Sequence, residues 1–300
     1  MHILKKHFYK KQFGDVLGYN SGISLIGPPL MTAWCYLLDG VLTWCYLLDG
    51  VLIDSGIRHL RPAILGAVRE DKPDVILITH HHEDHSGNVA AIRNALGIPA
   101  FAHPLTVDKM RAPFKIRPYQ HLMWGQTEPV ALAVHALVHE FGKSRFRPIH
   151  TPGHSQDHTV YLEENRGYLF SGDLFLGERI KFFRADETMG DQLASLKSVL
   201  RLDFDVLFCA HRPLMQNGKQ ALRNKLDFLE NFCATIQALK DQGMSLKAVV
   251  RHLDRHEDRL VKWLTLKNAC FANMVRSAYL LTEVPAPELT SDSSFGPNGR

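Results

Sequence analysis

The sequence predicts a layered domain of the α/β or α+β class followed by a smaller helical part, and three observations predict it. Short apolar runs bounded by turn residues alternate with amphipathic helical runs up to about residue 218. Beyond that point only helical periodicity continues. The 300 residues, 45% hydrophobic and 22% charged, suffice for one large core plus an appendage.

The opening MHILKKHFYKKQF lacks the apolar run of a signal peptide, and its lysines fit a solvated edge. Next comes a repeat: WCYLLDGVL stands at 34–42 and again at 44–52. Each copy joins a strand to an Asp-Gly hairpin signal, and using both in one meander would reverse the strand that follows. The expected arrangement pairs Trp44–Leu48 with Val51–Asp54 and leaves the first copy as an added edge strand or loop.

DVILITH (74–80) reads as a short strand entered from Pro73, and Ser86 as the N-cap of a helix over GNVAAIRNALG. The histidine-rich THHHEDHSGN (79–88) is therefore a strand-to-helix loop. PAFAHP (99–104), RFRPIH (145–150), TVYLEE (159–164), GYLFSG (167–172) and DVLFCAH (205–211) read as further strands, with ENRG as the turn between the third and fourth of these. MGDQLASLKSVLRLD places Leu193, Leu196, Val199 and Leu200 on one helical face.

The expected division is a main domain over 1–218, a helical subdomain over 219–284 and a disordered tail over 285–300, where PAPELTSDSSFGPNGR is rich in Pro, Ser and Gly. The subdomain is expected to hold three helices: KQALRNKLDFLENFCATIQALK, SLKAVVRHLD, and a third run through LVKWLTLKNACFANMVRSAYLL with Trp263 and Phe271 packed inside.

Composition narrows the function. A formal net charge of +4 is too mild to argue for nucleic-acid or membrane binding, though it suits an anionic small-molecule substrate. RNA remains admitted on weak support. No run of about 18 uncharged apolar residues suggests a membrane span. Five scattered cysteines with no C-x-x-C pair indicate neither a disulfide framework nor a cysteine zinc knuckle, and fit a reducing cytoplasm.

The loop at 79–88 carries the chemistry. Four imidazoles and two carboxylates within six positions repel or demand partners, so such a cluster costs stability unless something positive sits there. His80, His82 and Asp84 alternate along the chain and face one way, as adjacent metal sites require, with His85 beside them. His81 and Glu83 alternate away and are expected in supporting roles. His154, Asp173 and His211 each follow a predicted strand, where a layered fold gathers residues distant in sequence.

T-H-H-H-x-D-H, then T-P-G-H-S, then S-G-D, then a strand ending in His, in that order, resembles the metallo-β-lactamase superfamily over about residues 15–218. The resemblance implies an α+β fold, a four-layer αβ/βα sandwich with a two-metal site at one edge of its sheets. On matching positions it implies that His80, His82 and His154 hold one metal, that Asp84, His85 and His211 hold the second, and that Asp173 bridges both. Asp54 in VLIDSG matches a supporting aspartate of the family. Two zinc ions are expected, with iron or manganese as alternatives. His158, at the end of TPGHSQDH, is expected either to orient a ligand or to touch substrate. Cys209 is expected as a buried strand residue rather than a thiolate ligand, and His103 is open between the two roles.

The chemistry expected of such a site is hydrolysis of a small thioester, ester or lactone by a hydroxide shared between the ions, with Asp84 orienting it or accepting its proton. Alternatives are an endoribonuclease or phosphodiesterase, and a mononuclear iron dioxygenase of persulfide type. The chain departs from glyoxalase II, which it resembles in the opening motif. LFLGERIKFFRADE and HRPL stand where that family has a Gly-Cys-Gly-Arg loop and a His-Glu-Tyr run, which counts against the glutathione thioester. The later spacings are closer to the β-lactamase-like protein 2 branch, some of whose members cleave single-stranded RNA. Arg179, Lys181 and Arg184 follow Asp173 and are candidates to meet an anionic substrate, against a solvated basic loop. The helical appendage is expected to cover the cleft, to complete the core or to mediate a homodimer.

Overall fold

Successive residues of the central strands go to different layers, and this period of two builds the molecule. In the computed structural model, which describes residues 3–26 and 43–281, Trp44, Tyr46, Leu48, Val51, Ile53, Val75 and Leu77 turn to one side of a first sheet. Cys45, Leu52, Ile76 and Ile78 turn to the other. A second sheet alternates likewise: Tyr161, Phe170 and Phe208 meet the first sheet across a shared aromatic core. Val160, Leu162, Leu169, Leu207 and Cys209 face outward into a separate apolar layer. Helices close both outer faces, so the layers run helix, sheet, sheet, helix, the α+β sandwich that the sequence predicts.

The first sheet has seven strands in chain order: β1 Ile3–Phe13, β2 Val16–Ile26, β3 Thr43–Leu48, β4 Val51–Ile53, β5 Val75–Leu77, β6 Ala100–Ala102 and β7 Ala133–Val134. β1 to β4 are antiparallel neighbours, and β4 to β7 run parallel. Parallel strands need crossovers, and these supply the outer helices: α1 Arg61–Asp71, α2 Glu83–Ser86, α3 Val89–Leu96, α4 Pro104–Met110 and α5 Pro118–Met123. The second copy of the repeat forms the β3–β4 hairpin, with Tyr46 opposite Ile53 and Leu48 opposite Val51, as expected. The first copy, like the tail over 285–300, lies outside the described residues.

The second sheet comprises β8 His139–Phe141, β9 Ser144–His150, β10 Thr159–Glu163, β11 Tyr168–Gly172 and, beyond β12 Phe183–Arg184, β13 Val206–Cys209. β13 joins β11 in parallel after a crossover through α6 Met189–Val199, whose Leu193, Leu196 and Val199 are buried as the pattern predicts. The C-terminal helices α7 Gly218–Asp241, α8 Leu246–His252, α9 Arg259–Leu264 and α10 Phe271–Tyr279 follow. Leu222, Leu226, Leu229, Val249 and Met274 from these helices enter the same apolar layer as the outer face of the second sheet.

Three local expectations are corrected. Ser86 is not an N-cap: it ends α2, and its hydroxyl donates to the carbonyls of His81 and His82, so it braces the loop from behind. The third C-terminal run is not one helix. Leu266 and Lys267 adopt left-handed backbone angles, and Ala269–Cys270 form a two-residue strand, β14, on β12. The Glu257 carboxylate then accepts from the N–H groups of Phe271 and Ala272 and restarts the helix, a cap from 14 residues upstream of Phe271 that local pattern does not reveal. Trp263, expected inside, is 68% exposed, whereas Phe271 is buried.

Candidate metal centre

The parallel strands β4 and β5 end at one edge of the first sheet, and β11 and β13 end at the neighbouring edge of the second. Asp54 follows β4, the 80–85 loop follows β5, Asp173 follows β11 and His211 lies just beyond β13. His154 comes from the turn between β9 and β10. Backbone bonds lock the two edges together: Thr159 N donates to Thr79 O at 2.9 Å, and Trp44 N to Ala210 O at 2.6 Å.

All seven side chains expected at the site converge there, in two groups. In the first, His80 Nε2 and His154 Nε2 lie 2.8 and 3.0 Å from His82 Nδ1. Those separations are a few tenths of an Å shorter than the roughly 3.3 Å set by tetrahedral metal–nitrogen bonds of about 2.05 Å. The second group joins Asp84, His85, Asp173 and His211. Asp173 stands between them: Oδ2 is 3.3 Å from His154 Nε2, while Oδ1 is 3.3 Å from both His85 Nε2 and His211 Nε2.

The donor set fits a pair of cations on a further observation. His85 Nε2 and Asp173 Oδ1 are both buried, yet neither makes a hydrogen bond of acceptable geometry although they face each other at 3.3 Å. Buried polar atoms are normally paired. Two such atoms held close without bonding each other are what ligands of one shared ion look like. The electrostatics differ between the groups in the same sense. Burial, then neighbouring imidazoles, holds His80 well below the ordinary histidine range. Burial, then Arg184, does so for His82. Neutral imidazole is the ligating form. Burial also opposes charge on His85, but the carboxylates of Asp173, Asp84 and Asp54 outweigh it and raise that pKa.

Supporting contacts fix each ring. Asp54, at the left-handed φ of 62°, accepts from His85 Nδ1 at 2.7 Å, from Thr79 N at 2.8 Å and from Thr79 Oγ1 at 2.9 Å. That hydroxyl has one proton, so at His80 Nδ1, 3.0 Å away, it acts as acceptor. His158 is fully buried and touches no outer surface. Its Nε2 accepts from the N–H of Asp173 at 3.1 Å and its Nδ1 meets Thr151 Oγ1 at 2.8 Å, so it orients the aspartate. Gly172 has no alternative here: at φ +46° a Cβ would stand 2.8 Å from His158 Nε2.

His81 turns away from the cluster, as alternation predicts, and Asp157 holds its Nδ1 at 2.8 Å. Glu83 accepts from Gln120 Nε2 at 3.1 Å, and burial, then Asp84, pushes its carboxyl up to about 7. Cys209 is buried and its thiol is pushed up to about 12 by burial, so it is no thiolate. His103 is remote from the cluster: it stacks on His150 at 4.2 Å and its Nδ1 accepts from Leu105 N. Arg184 reaches a cleft beside His81, whereas Arg179 lines a separate one with Glu178 and Asp227.

Four contributors escape sequence reasoning. Thr43 donates to Asp84 Oδ2 at 3.2 Å, Glu187 Oε1 stands 3.4 Å from His154 Nδ1, and Tyr46 donates to Cys209 O at 2.6 Å. Asp157 is the fourth. It lies in the quoted TPGHSQDH run, so its place beside the histidines was the one available signal.

The family profile described as "Metallo-beta-lactamase superfamily" matches residues 38–211, more than half of the chain. This chain belongs to that superfamily. It is 32% identical over 182 residues to the "Beta-lactamase-like protein 2 homolog" of Drosophila melanogaster, across 55% of each protein. It is 34% identical over 144 residues to the "Hydroxyacylglutathione hydrolase" of Halorhodospira halophila, across 47% of this chain and 48% of that one. The chain thus spans about half the length of these curated relatives. The fold matches that of a metallo-beta-lactamase from Pontibacter korlensis with a TM-score of 0.55 and 17% identity, covering 76% of this chain and 100% of that chain. The chain thus combines membership of this superfamily with a His/Asp cluster suited to two metals. Among the described residues no helix is long and apolar enough to cross a membrane.

Proposed function

We propose that the protein is a dinuclear zinc hydrolase acting on a small thioester, ester or lactone. The observation that carries this reading is the division of Asp173, one oxygen toward the three-histidine group and the other toward His85 and His211. His80, His82 and His154 would hold one ion, and Asp84, His85 and His211 the other. A zinc pair there would supply a water of lowered pKa and a Lewis acid for the oxygen of the scissile bond.

The chain's own residues supply the rest. Asp84, 3.7 Å from His85 Nε2 and tethered by Thr43, orients the attacking water and takes its proton. Asp54, Thr79 and His158 keep the rings and Asp173 from rotating, so the reacting groups meet in one geometry. The match to a hydroxyacylglutathione hydrolase supports thioester chemistry. The loop after Asp173 differs from the glyoxalase II pattern, so glutathione is not assigned as the leaving thiol. The free, buried thiols of Cys45, Cys209, Cys233 and Cys270 suit a reducing, cytoplasmic setting.

The test is a panel of thioesters, esters, lactones and phosphodiesters given to zinc-loaded protein and to His82→Ala. Hydrolysis of a carbonyl substrate that His82→Ala loses supports the reading. Turnover confined to phosphodiesters, or full activity in His82→Ala, removes it.

A further inference from the structure

A cleft of about 320 Å³ adjoins the histidine loop and is lined by none of the seven residues of the cluster. His81 and Glu83 form its floor, the two loop residues whose neighbours His80, His82 and Asp84 belong to the metal groups. One wall is the segment that carries Phe114, Lys115 and Arg117. The opposite wall is the two-stranded β12–β14 pair, where Arg184 lies opposite Ala269 and brings Asn268 alongside. Asn268 Nδ2 donates to Tyr119 Oη at 2.7 Å and ties the walls together.

The charge of this cleft is one-sided. Lys109, Lys115, Arg117 and Arg184 line it, against Glu83 and Asp186. Both carboxylates already have partners: Gln120 donates to Glu83, and Arg184 Nε to Asp186 at 3.2 Å. None of the ion pairs among the described residues involves Lys109, Lys115 or Arg117. Cations gathered without counterions repel one another, and an anion between them relieves that cost. Apolar contact is also present. The Phe114 ring packs edge-on against His81 at 5.6 Å, with Lys109 Nζ 5.8 Å from its centroid.

Size sets the ligand class. One water takes about 30 Å³, so the cleft admits about ten waters, or an organic arm ending in one charged group. Arg184 links the cleft to the site, because it lines the cleft together with His81 and Glu83, the loop residues that alternate with His80, His82 and Asp84.

We infer that this cleft is a specificity site for the anionic arm, phosphate- or carboxylate-bearing, of the substrate hydrolysed beside it. This rests on the hydrolase reading above for the word substrate, and on the cleft alone for the anion. The scissile bond lies on the cluster side of the 80–85 loop while the arm crosses Arg184 to reach Lys115 and Arg117. The neutral part of the arm packs on Phe114.

The test is calorimetric titration of the full-length, zinc-loaded protein with phenylphosphonate and with phenylacetate, and with benzyl alcohol as the neutral control. Lys115→Ala combined with Arg117→Ala removes two of the unpaired cations. Lys247→Ala with Arg251→Ala removes the same charge from an exposed helix elsewhere. At least one anion is expected to bind more tightly than the alcohol, and the cleft variant to weaken it about tenfold or more, equivalent to about 1.4 kcal/mol. The distant pair is expected to change it less than about twofold. Lys115→Arg alone is expected to retain binding. Tighter phenylphosphonate assigns a phosphate arm, and tighter phenylacetate a carboxylate arm. No anion binding at about 10 mM, or equal weakening by both double variants, overturns the inference. Because binding is read without turnover, anion binding at the cleft in a protein that hydrolyses nothing on the panel would reject the hydrolase reading alone.

Discussion

Replacing Asp54 by asparagine isolates the part of the site that positions rather than ligates. The carboxylate accepts from Thr79 N, Thr79 Oγ1 and His85 Nδ1 at 2.7–2.9 Å and is 2% exposed. The carboxamide of Asp54→Asn keeps one acceptor oxygen, which serves Thr79, but sets an NH₂ group against the Nδ1–H of His85. The imidazole must then move its proton to Nε2, the atom that faces Asp173 and His211 in the second group. A protonated Nε2 cannot ligate. Losses of such outer contacts typically cost about 10–100-fold in metal affinity, or about 1.4–2.7 kcal/mol. The metal-free fold should lose about 1–3 kcal/mol as well, since a charge-assisted buried bond disappears. Zinc titration against a chromophoric chelator should show the weaker of two binding steps displaced by that factor, with the tighter one unchanged. If both steps stay at wild-type affinity while circular dichroism shows a folded variant, the positioning role of Asp54 is wrong. Equal loss of both steps would refute the assignment of His85 to one group.

Further outcomes follow from single contacts. Gly172→Ala places a Cβ 2.8 Å from His158 Nε2 at a positive φ, so thermal unfolding should show a loss of about 1–3 kcal/mol together with weaker metal binding. Tyr46→Phe leaves the carbonyl of Cys209 unpaired inside the inter-sheet core, and urea unfolding should report about 1–2 kcal/mol of destabilisation. Lys225, fully buried with its Nζ on the carbonyl of Leu174, has its pKa lowered from 10.5 to about 8 by burial, against the pull of Glu187 and Asp173. The unfolded chain binds more protons between those values, so stability should rise with pH from about 8 to 10.5, by up to about 3 kcal/mol from this group. Lys225→Met should abolish that rise, and an unaltered pH profile in the variant would refute it.

The fold and the convergence of the seven side chains were legible because both are written in local pattern. Strand alternation at 44–53, 75–78, 160–162 and 169–170 maps onto the layers residue by residue. The Asp-Gly turn of the second repeat pins its own hairpin, which is why pairing of Leu48 with Val51 could be anticipated. His80, His82, Asp84 and His85 are close in sequence, and His154, Asp173 and His211 end or follow strands. Long-range partners left no such trace. Glu187 approaches His154 through the turn that starts α6, Thr43 reaches Asp84 across the sheet edge, and Glu257 caps a helix in another part of the chain. Trp263 misled because an aromatic at helical spacing reads as core, whereas the break at Leu266 and Lys267 rotates the next helix inward and leaves Trp263 on the surface.

Anomalous diffraction from crystals of the zinc-loaded protein, recorded above and below the zinc edge, tests the central claim most directly. Two peaks per chain are expected: one among His80, His82 and His154, the other among Asp84, His85 and His211, with Asp173 touching both. A single peak, or peaks away from Asp173, would contradict the account.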